Sequence, residues 1–310
     1  MAGLKELRLR IEAIKETQKI TSAMKLVAAS RLRKVQNMVD RNKFHSENLR
    51  RSALRVLTEI EREETEKNIK YIRPTLLQEK ENPQNYLLYV FSSDRGLCGA
   101  YNGNVAKKAI ERISHLKEKK KNIKVVCFGK KAFDILNRTY EEDDTFDLVL
   151  LDGDINEASY SEAAERMAKL ILQQFRHHKF DVCEVIYAQF ESAISRTFVC
   201  RQVCPLYLNT EHLSNDELQD MEKFGDAYYE YLPDKLSILT DILPHLFYNN
   251  IFQMLVNAAS SEHSARMTSM DSATRNADKM ISDLTLKYNS LRQAAITTEL
   301  IEIIAGAEAI

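Results

Sequence analysis

The sequence predicts an α/β domain inserted into a long antiparallel coiled coil. Three observations carry that reading. The 310 residues include only eight Gly and five Pro, and none lies between Gly3 and Pro74 or between Pro244 and Gly306. Helix interiors exclude both, Pro for its missing amide donor and Gly for its excess chain entropy. The two terminal segments carry apolar residues at alternating three- and four-residue spacing, while the middle alternates strand-like and helix-like runs.

The first terminal segment runs Leu4, Leu7, Ile11 and Ile14, then resumes with Ala28, Leu32, Val35 and Val39. Gln18, Thr21 and Lys25 interrupt it, and a neighbouring row of Ile20, Met24 and Val27 is expected to take over, so that the apolar face drifts around the helix. The last segment runs Met267, Met270, Thr274, Ala277, Ile281, Leu284, Tyr288, Leu291, Ala295, Thr298, Glu302 and Ala305, mostly apolar. Heptads sustained this far argue for a coiled coil. At 1.5 Å per residue, about 60 helical residues reach roughly 90 Å, beyond any compact domain. The ends of an inserted domain usually lie close together, so the two helices are expected to leave and return side by side. The expected division is 1–73 with 236–310 for the shaft and 74–235 for the insert.

Within the insert, strands are expected at Asn85–Ser92, Ile123–Phe128, Phe146–Leu151, Val182–Phe190 and Thr197–Leu206. Helices are expected at Cys98–Lys119, Lys130–Asn137 and Ala158–His177. That order implies a mostly parallel sheet flanked by helices, with an antiparallel strand added last.

Composition bounds the function. The chain is 44% apolar and 29% charged, with a formal net charge of −1. No run approaches the roughly 18 apolar residues of a membrane span. Met1–Arg10 already has helix periodicity and no apolar signal core, so no secretory leader is expected. Five cysteines without CxxC spacing suggest a reducing compartment and buried thiols. Charge is segregated: residues 1–60 hold 14 Lys or Arg against 6 acids, and 141–157 hold eight acids and no base. Residues 207–235 hold eight acids against two lysines.

Ser92–Asn102 joins a strand to a helix and contains Gly96 and Gly99, a position where helix amides can cradle phosphate. It matches neither GxGxxG nor GxxxxGK[ST] and brings no phosphate lysine. Cys98 lacks an accompanying base, Cys200 and Cys204 sit on one side of a predicted strand, and the seven His form no metal motif. No catalytic residue, cofactor site or metal site is expected. The basic group Arg31, Arg33 and Lys34 suits acidic protein loops better than nucleic acid, because the coil reads as intramolecular and the chain as near-neutral.

Three stretches carry a family resemblance. Ile20–Lys34 (ITSAMKLVAASRLRK), Ser93–Asn102 (SDRGLCGAYN) and Tyr288–Ala307 (YNSLRQAAITTELIEIIAGA) closely resemble the N-terminal helix, the loop opening the Rossmann-like domain and the C-terminal signature of ATP synthase gamma subunits. The resemblance implies a non-catalytic rotor shaft that couples proton-driven rotation of a membrane ring to ATP synthesis in a surrounding hexamer. It implies as partners the alpha and beta subunits, the epsilon subunit and the membrane ring of c subunits. It places the chain peripherally on the cytoplasmic face of a bacterial inner membrane, or on the matrix face in mitochondria. By position, Arg292, Gln293 and Thr297 match residues contacting beta, while Met24, Arg31, Arg33 and Lys34 lie on the stretch facing the beta lever loops. Tyr229 and Tyr231 match the foot on the ring beside epsilon. Ala100 stands where the family often has a second Gly, and Leu232 where it usually has Glu. The alternatives are a coiled-coil scaffold of another assembly and a phosphate-handling α/β enzyme.

Overall fold

In a computed structural model, residues 2–141, 146–151, 160–208 and 229–308 are described. Helix α1 (Ala2–Lys67) and helix α5 (Lys235–Glu308) hold the two ends of the chain. Between them lie β1 (Asn85–Phe91), α2 (Tyr101–Glu118), β2 (Asn122–Phe128), α3 (Lys130–Thr139), β3 (Phe146–Leu151), α4 (Tyr160–Arg176), β4 (Val182–Phe190) and β5 (Arg196–Cys204). Asn68, with φ of 52°, ends α1 in the left-handed conformation that commonly stops helices. The five strands order as β3-β2-β1-β4-β5, parallel except for the antiparallel β4–β5 pair. This is the sheet the strand–helix alternation implies.

The chain divides into two compact units. One holds Met1–Ser30, Leu97–Gly99 and His263–Ile310, and the other holds Arg31–Gly96 and Ala100–Glu262. In the second, α2 and α3 pack on one face of the sheet. The opposite face, with Leu87, Tyr89, Phe91, Val185 and Tyr187, is buried in one apolar core. That core also takes Ala163, Met167 and Ile171 of α4, Val56, Leu57 and Ile60 of α1, and Leu243, Phe247 and Leu255 of α5. β1 is buried on both faces from Leu87 to Phe91, which explains its unbroken apolar run. Pro244 lies inside α5, and Leu243, Leu246 and Phe247 beside it are fully buried, so packing offsets the lost helix bond.

The first unit corrects the expected drift of the apolar face. Ile20 and Val27 are 59% and 53% exposed, so they do not form the seam. Instead Gln18, Thr21 and Lys25 stay in line with Ile11 and Ala28, half-buried, and meet polar partners on α5. Gln18 Nε2 donates to Asp278 at 2.8 Å, the Thr274 hydroxyl donates to that of Thr21 at 2.8 Å, and Lys25 Nζ lies 2.6 Å from Asp271. Polar groups stay in a seam when each finds a partner. As residue numbers rise on one helix they fall on the other, so the pairing is antiparallel.

The Lys25–Asp271 pair is 43% and 29% exposed, so water screens it. Lys25→Met is therefore expected to change the unfolding free energy by less than about 1 kcal/mol, measured by urea titration of the isolated chain.

Candidate partner-binding surfaces

The loop after β1 is the place where an α/β fold would hold a ligand. Here its polar groups serve the fold. The Ser92 hydroxyl accepts from Ala132 N at 3.1 Å and donates to Gly129 O at 3.0 Å, while Asp94 Oδ1 accepts from Lys130 N at 3.0 Å. The first amides of α3 thus meet the protein's own serine and carboxylate, the positions an anion would take. The buried Asn102 Oδ1 accepts from Ser93 N and Ser93 Oγ at 3.1 and 3.0 Å. From α5, Ala258 O accepts the Tyr101 hydroxyl at 3.2 Å, and the Ser261 hydroxyl donates to Ala188 O at 2.9 Å.

The thiols are inert by environment. Cys98, Cys127, Cys183 and Cys204 are buried, and burial pushes Cys127, Cys200 and Cys204 up to about 12 and Cys183 well above the ordinary value. Cys200 and Cys204 do not share a side, as the bare strand period suggests. A register shift at Cys183/Glu184 places Cys204 opposite Cys183 in the apolar core, while Cys200 Sγ donates to Glu184 Oε2 at 3.3 Å. Glu184, only 6% exposed, is held from the other side by Arg112, whose Nε and Nη2 lie 2.7 and 2.5 Å from its two oxygens. These groups line a cleft of about 520 Å³ with Lys108 and His115.

Arg31, Arg33 and Lys34 on α1 are exposed, and Met24 is half-buried. On α5, Arg292, Gln293 and Thr297 are exposed, with the Thr297 hydroxyl donating to Gln293 O at 2.9 Å. The pairing of Gln18 with Asp278 and of Lys25 with Asp271, carried along α1, reaches Leu4 near Arg292. Roughly the last four turns of α5 therefore outrun α1. Burial follows: the seam positions Ile281, Leu284 and Tyr288 are half-buried, whereas Leu291 is 43% exposed. Beyond them Ile296, Leu300, Ile301, Ile303 and Ile304 are between 47% and 68% exposed. An apolar stretch this exposed marks an interaction surface. Periodicity alone missed it, because the heptad continues where the partner helix has ended.

Tyr229 and Tyr231 are half-buried. The Tyr229 hydroxyl accepts from Arg55 Nη1 at 2.7 Å, and the Tyr231 hydroxyl donates to Glu59 Oε1 at 2.7 Å. Burial, then the Glu59 carboxylate, push the Tyr231 phenol upward. Leu232 beside them is 77% exposed.

Comparison with known proteins covers the whole chain. A family model described as ATP synthase matches residues 3–310. The chain is 39% identical over 310 residues to the ATP synthase gamma chain of Methylobacterium nodulans and 36% identical over 312 residues to that of Sinorhizobium fredii, with all of each chain covered. Among solved structures it resembles a chain of the Euglena gracilis mitochondrial ATP synthase, OSCP/F1/c-ring, in rotational state 3. The TM-score is 0.61 at 18% identity, over 99% of this chain and 94% of that one, a likeness of fold.

Proposed function

The chain belongs to the ATP synthase gamma-chain family, and on that premise we propose which of its surfaces meet which partners. It is the non-catalytic rotor shaft of the ATP synthase, coupling rotation of the membrane ring to sequential conformational change, and so to ATP synthesis or hydrolysis, in the catalytic hexamer. The overhanging end of α5 is the part that turns inside the ring of alpha and beta subunits. Arg292, Gln293 and Thr297 offer beta a guanidinium, an amide and a hydroxyl, and the exposed isoleucines and leucines offer the hexamer a greasy bearing. Arg31, Arg33 and Lys34, with Met24, face the acidic lever loops of beta. The segment at Tyr229 and Tyr231 forms the foot beside epsilon and the c-subunit ring, with the shaft in 1–73 and 236–310 and the foot domain in 74–235. The assembly sits on the cytoplasmic face of a bacterial inner membrane.

One observation carries this reading: α5 continues past the start of α1 with a row of exposed apolar side chains. A lone helix end of that kind is unfavourable in water and needs a surrounding partner. No helix among the described residues is long and apolar enough to cross a membrane. The test is the double substitution Arg292→Ala with Gln293→Ala. Both side chains are exposed, so helix content and melting of the free chain are expected to stay nearly unchanged. Charged hydrogen bonds contribute roughly 1.5–3 kcal/mol, so the reconstituted complex with alpha and beta is expected to lose stability or to turn over ATP several-fold more slowly. Wild-type stability and turnover would mean that these groups face only water.

A further inference from the structure

The chain leaves α1 for the insert through residues 68–84 and returns to α5 through residues 205–234. Side chains of one short acidic stretch of α1, Glu59 to Glu64, hold both crossings. On the outgoing side, Glu64 accepts from Tyr71 N at 2.9 Å and pairs with Arg73 Nη2 at 2.9 Å, and Glu63 accepts the Tyr71 hydroxyl at 3.1 Å. On the returning side, Glu59 accepts the Tyr231 hydroxyl at 2.7 Å, and Lys235 Nζ lies 3.3 Å from both Glu59 and Glu63. Glu63 therefore touches the outgoing crossing and the first residue of α5, where the returning crossing ends. Lys235 also lies 5.4 Å over the Tyr231 ring. Side-chain exposure at Lys235, Glu59 and Glu63 is 23%, 30% and 25%, so these pairs are partly shielded from solvent.

We propose that Glu59, Glu63 and Lys235 are positioning residues: they clasp the crossings to the shaft so that the foot and α1 turn together. The inference rests on the rotor-shaft reading and adds the residues that make the foot follow the shaft. The apolar core beneath supplies adhesion without direction. Sliding or rotation across such a contact is resisted by groups with fixed geometry, and a lysine shared by two carboxylates, with a phenol on one of them, has it. The clasp acts on the coupling of rotation to proton flow. It leaves the chemistry at the hexamer untouched.

The test uses the whole enzyme in closed vesicles, with ATP hydrolysis and ATP-driven acidification measured on the same preparation. Lys235→Met is expected to leave ATP hydrolysis near wild type and to lower acidification per ATP by about twofold or more, twofold being the low end of what changes along a coupling path produce. Lys235→Arg, which keeps the charge, is expected to restore most of that ratio. Glu59→Gln is nearly isosteric, carries the same expectation, and decides the matter if Lys235→Met does not assemble. A lowered melting temperature with an unchanged ratio in Glu59→Gln would reduce the clasp to a structural contact and overturn the proposal. Failure of the wild-type chain to support acidification with its alpha, beta and ring partners would instead sink the rotor-shaft reading.

Discussion

Gly129→Ala is expected to lower the stability of the chain by about 3 kcal/mol or more. Gly129 precedes α3 with φ of 103° and ψ of 129°, a conformation that L side chains rarely adopt. A Cβ built there meets Ser92 O at 2.3 Å and Ser92 C at 2.6 Å, backbone atoms that cannot swing aside. Strain at such a backbone position costs about 1–3 kcal/mol and overpacking a similar amount. Relief would move the end of β1, where Ser92 N donates to Phe128 O at 2.7 Å and Ser92 Oγ caps α3. Gly103→Ala is the control. Gly103 lies exposed in α2 with nothing within 4 Å of an added methyl, so the same substitution is expected to stabilise by roughly 0.5–1 kcal/mol. Thermal melts followed by circular dichroism are expected to shift in opposite directions. Equal shifts would mean that the close approach at Gly129 does not exist in solution.

Arg112→Ala is expected to cost about 3–5 kcal/mol, because it strands a buried carboxylate. Glu184 lies inside the sheet on β4, and Arg112 from α2 closes it with two short contacts. The guanidinium lies 5.9 Å over the Tyr86 ring and 3.0 Å from His115 Nδ1, so it is held in place. Removing both charges together is a different matter. Arg112→Met with Glu184→Leu is expected to lie within about 1–2 kcal/mol of wild type, since neither ion must then be desolvated. Chemical denaturation of the four corners of this cycle gives the coupling directly. A single substitution no worse than the double would show that Glu184 is not stranded.

Much of this was legible in one dimension. The two long helices and the inserted, mostly parallel sheet follow from where Pro and Gly are scarce and from periods of 2 and 3.5, because these are local steric and burial constraints; the helix ends do not, since Asn68 ends α1 and Pro244 lies inside α5. What escaped depends on partners far along the chain. Gln18, Thr21 and Lys25 look like an interruption because hydropathy cannot register that Asp278, Thr274 and Asp271, some 250 residues later, arrive to meet them. The shift at Cys183 is a backbone event with no residue signature, and it alone decides that Cys200 and Cys204 part company. Arg112 and Glu184, 72 positions apart, read as ordinary surface charges until the sheet folds. Where α5 loses its companion follows from neither helix alone, only from the register between them.

That register gives the polar rungs a role as a ruler. A seam of leucines and alanines repeating every seven residues fits almost as well after a slip of one heptad. Such a slip would lengthen or shorten the protruding end of α5 by seven residues, roughly 10 Å. Three consecutive polar matches oppose it, since a slip in one direction would set Asp271 against the buried Leu32 and a slip in the other would set Asp278 against the buried Ile11. A single buried polar contact is known to set register in this way at some cost in stability. The rungs therefore act less as glue than as a gauge, cutting the protruding tip to one length in every copy of the molecule.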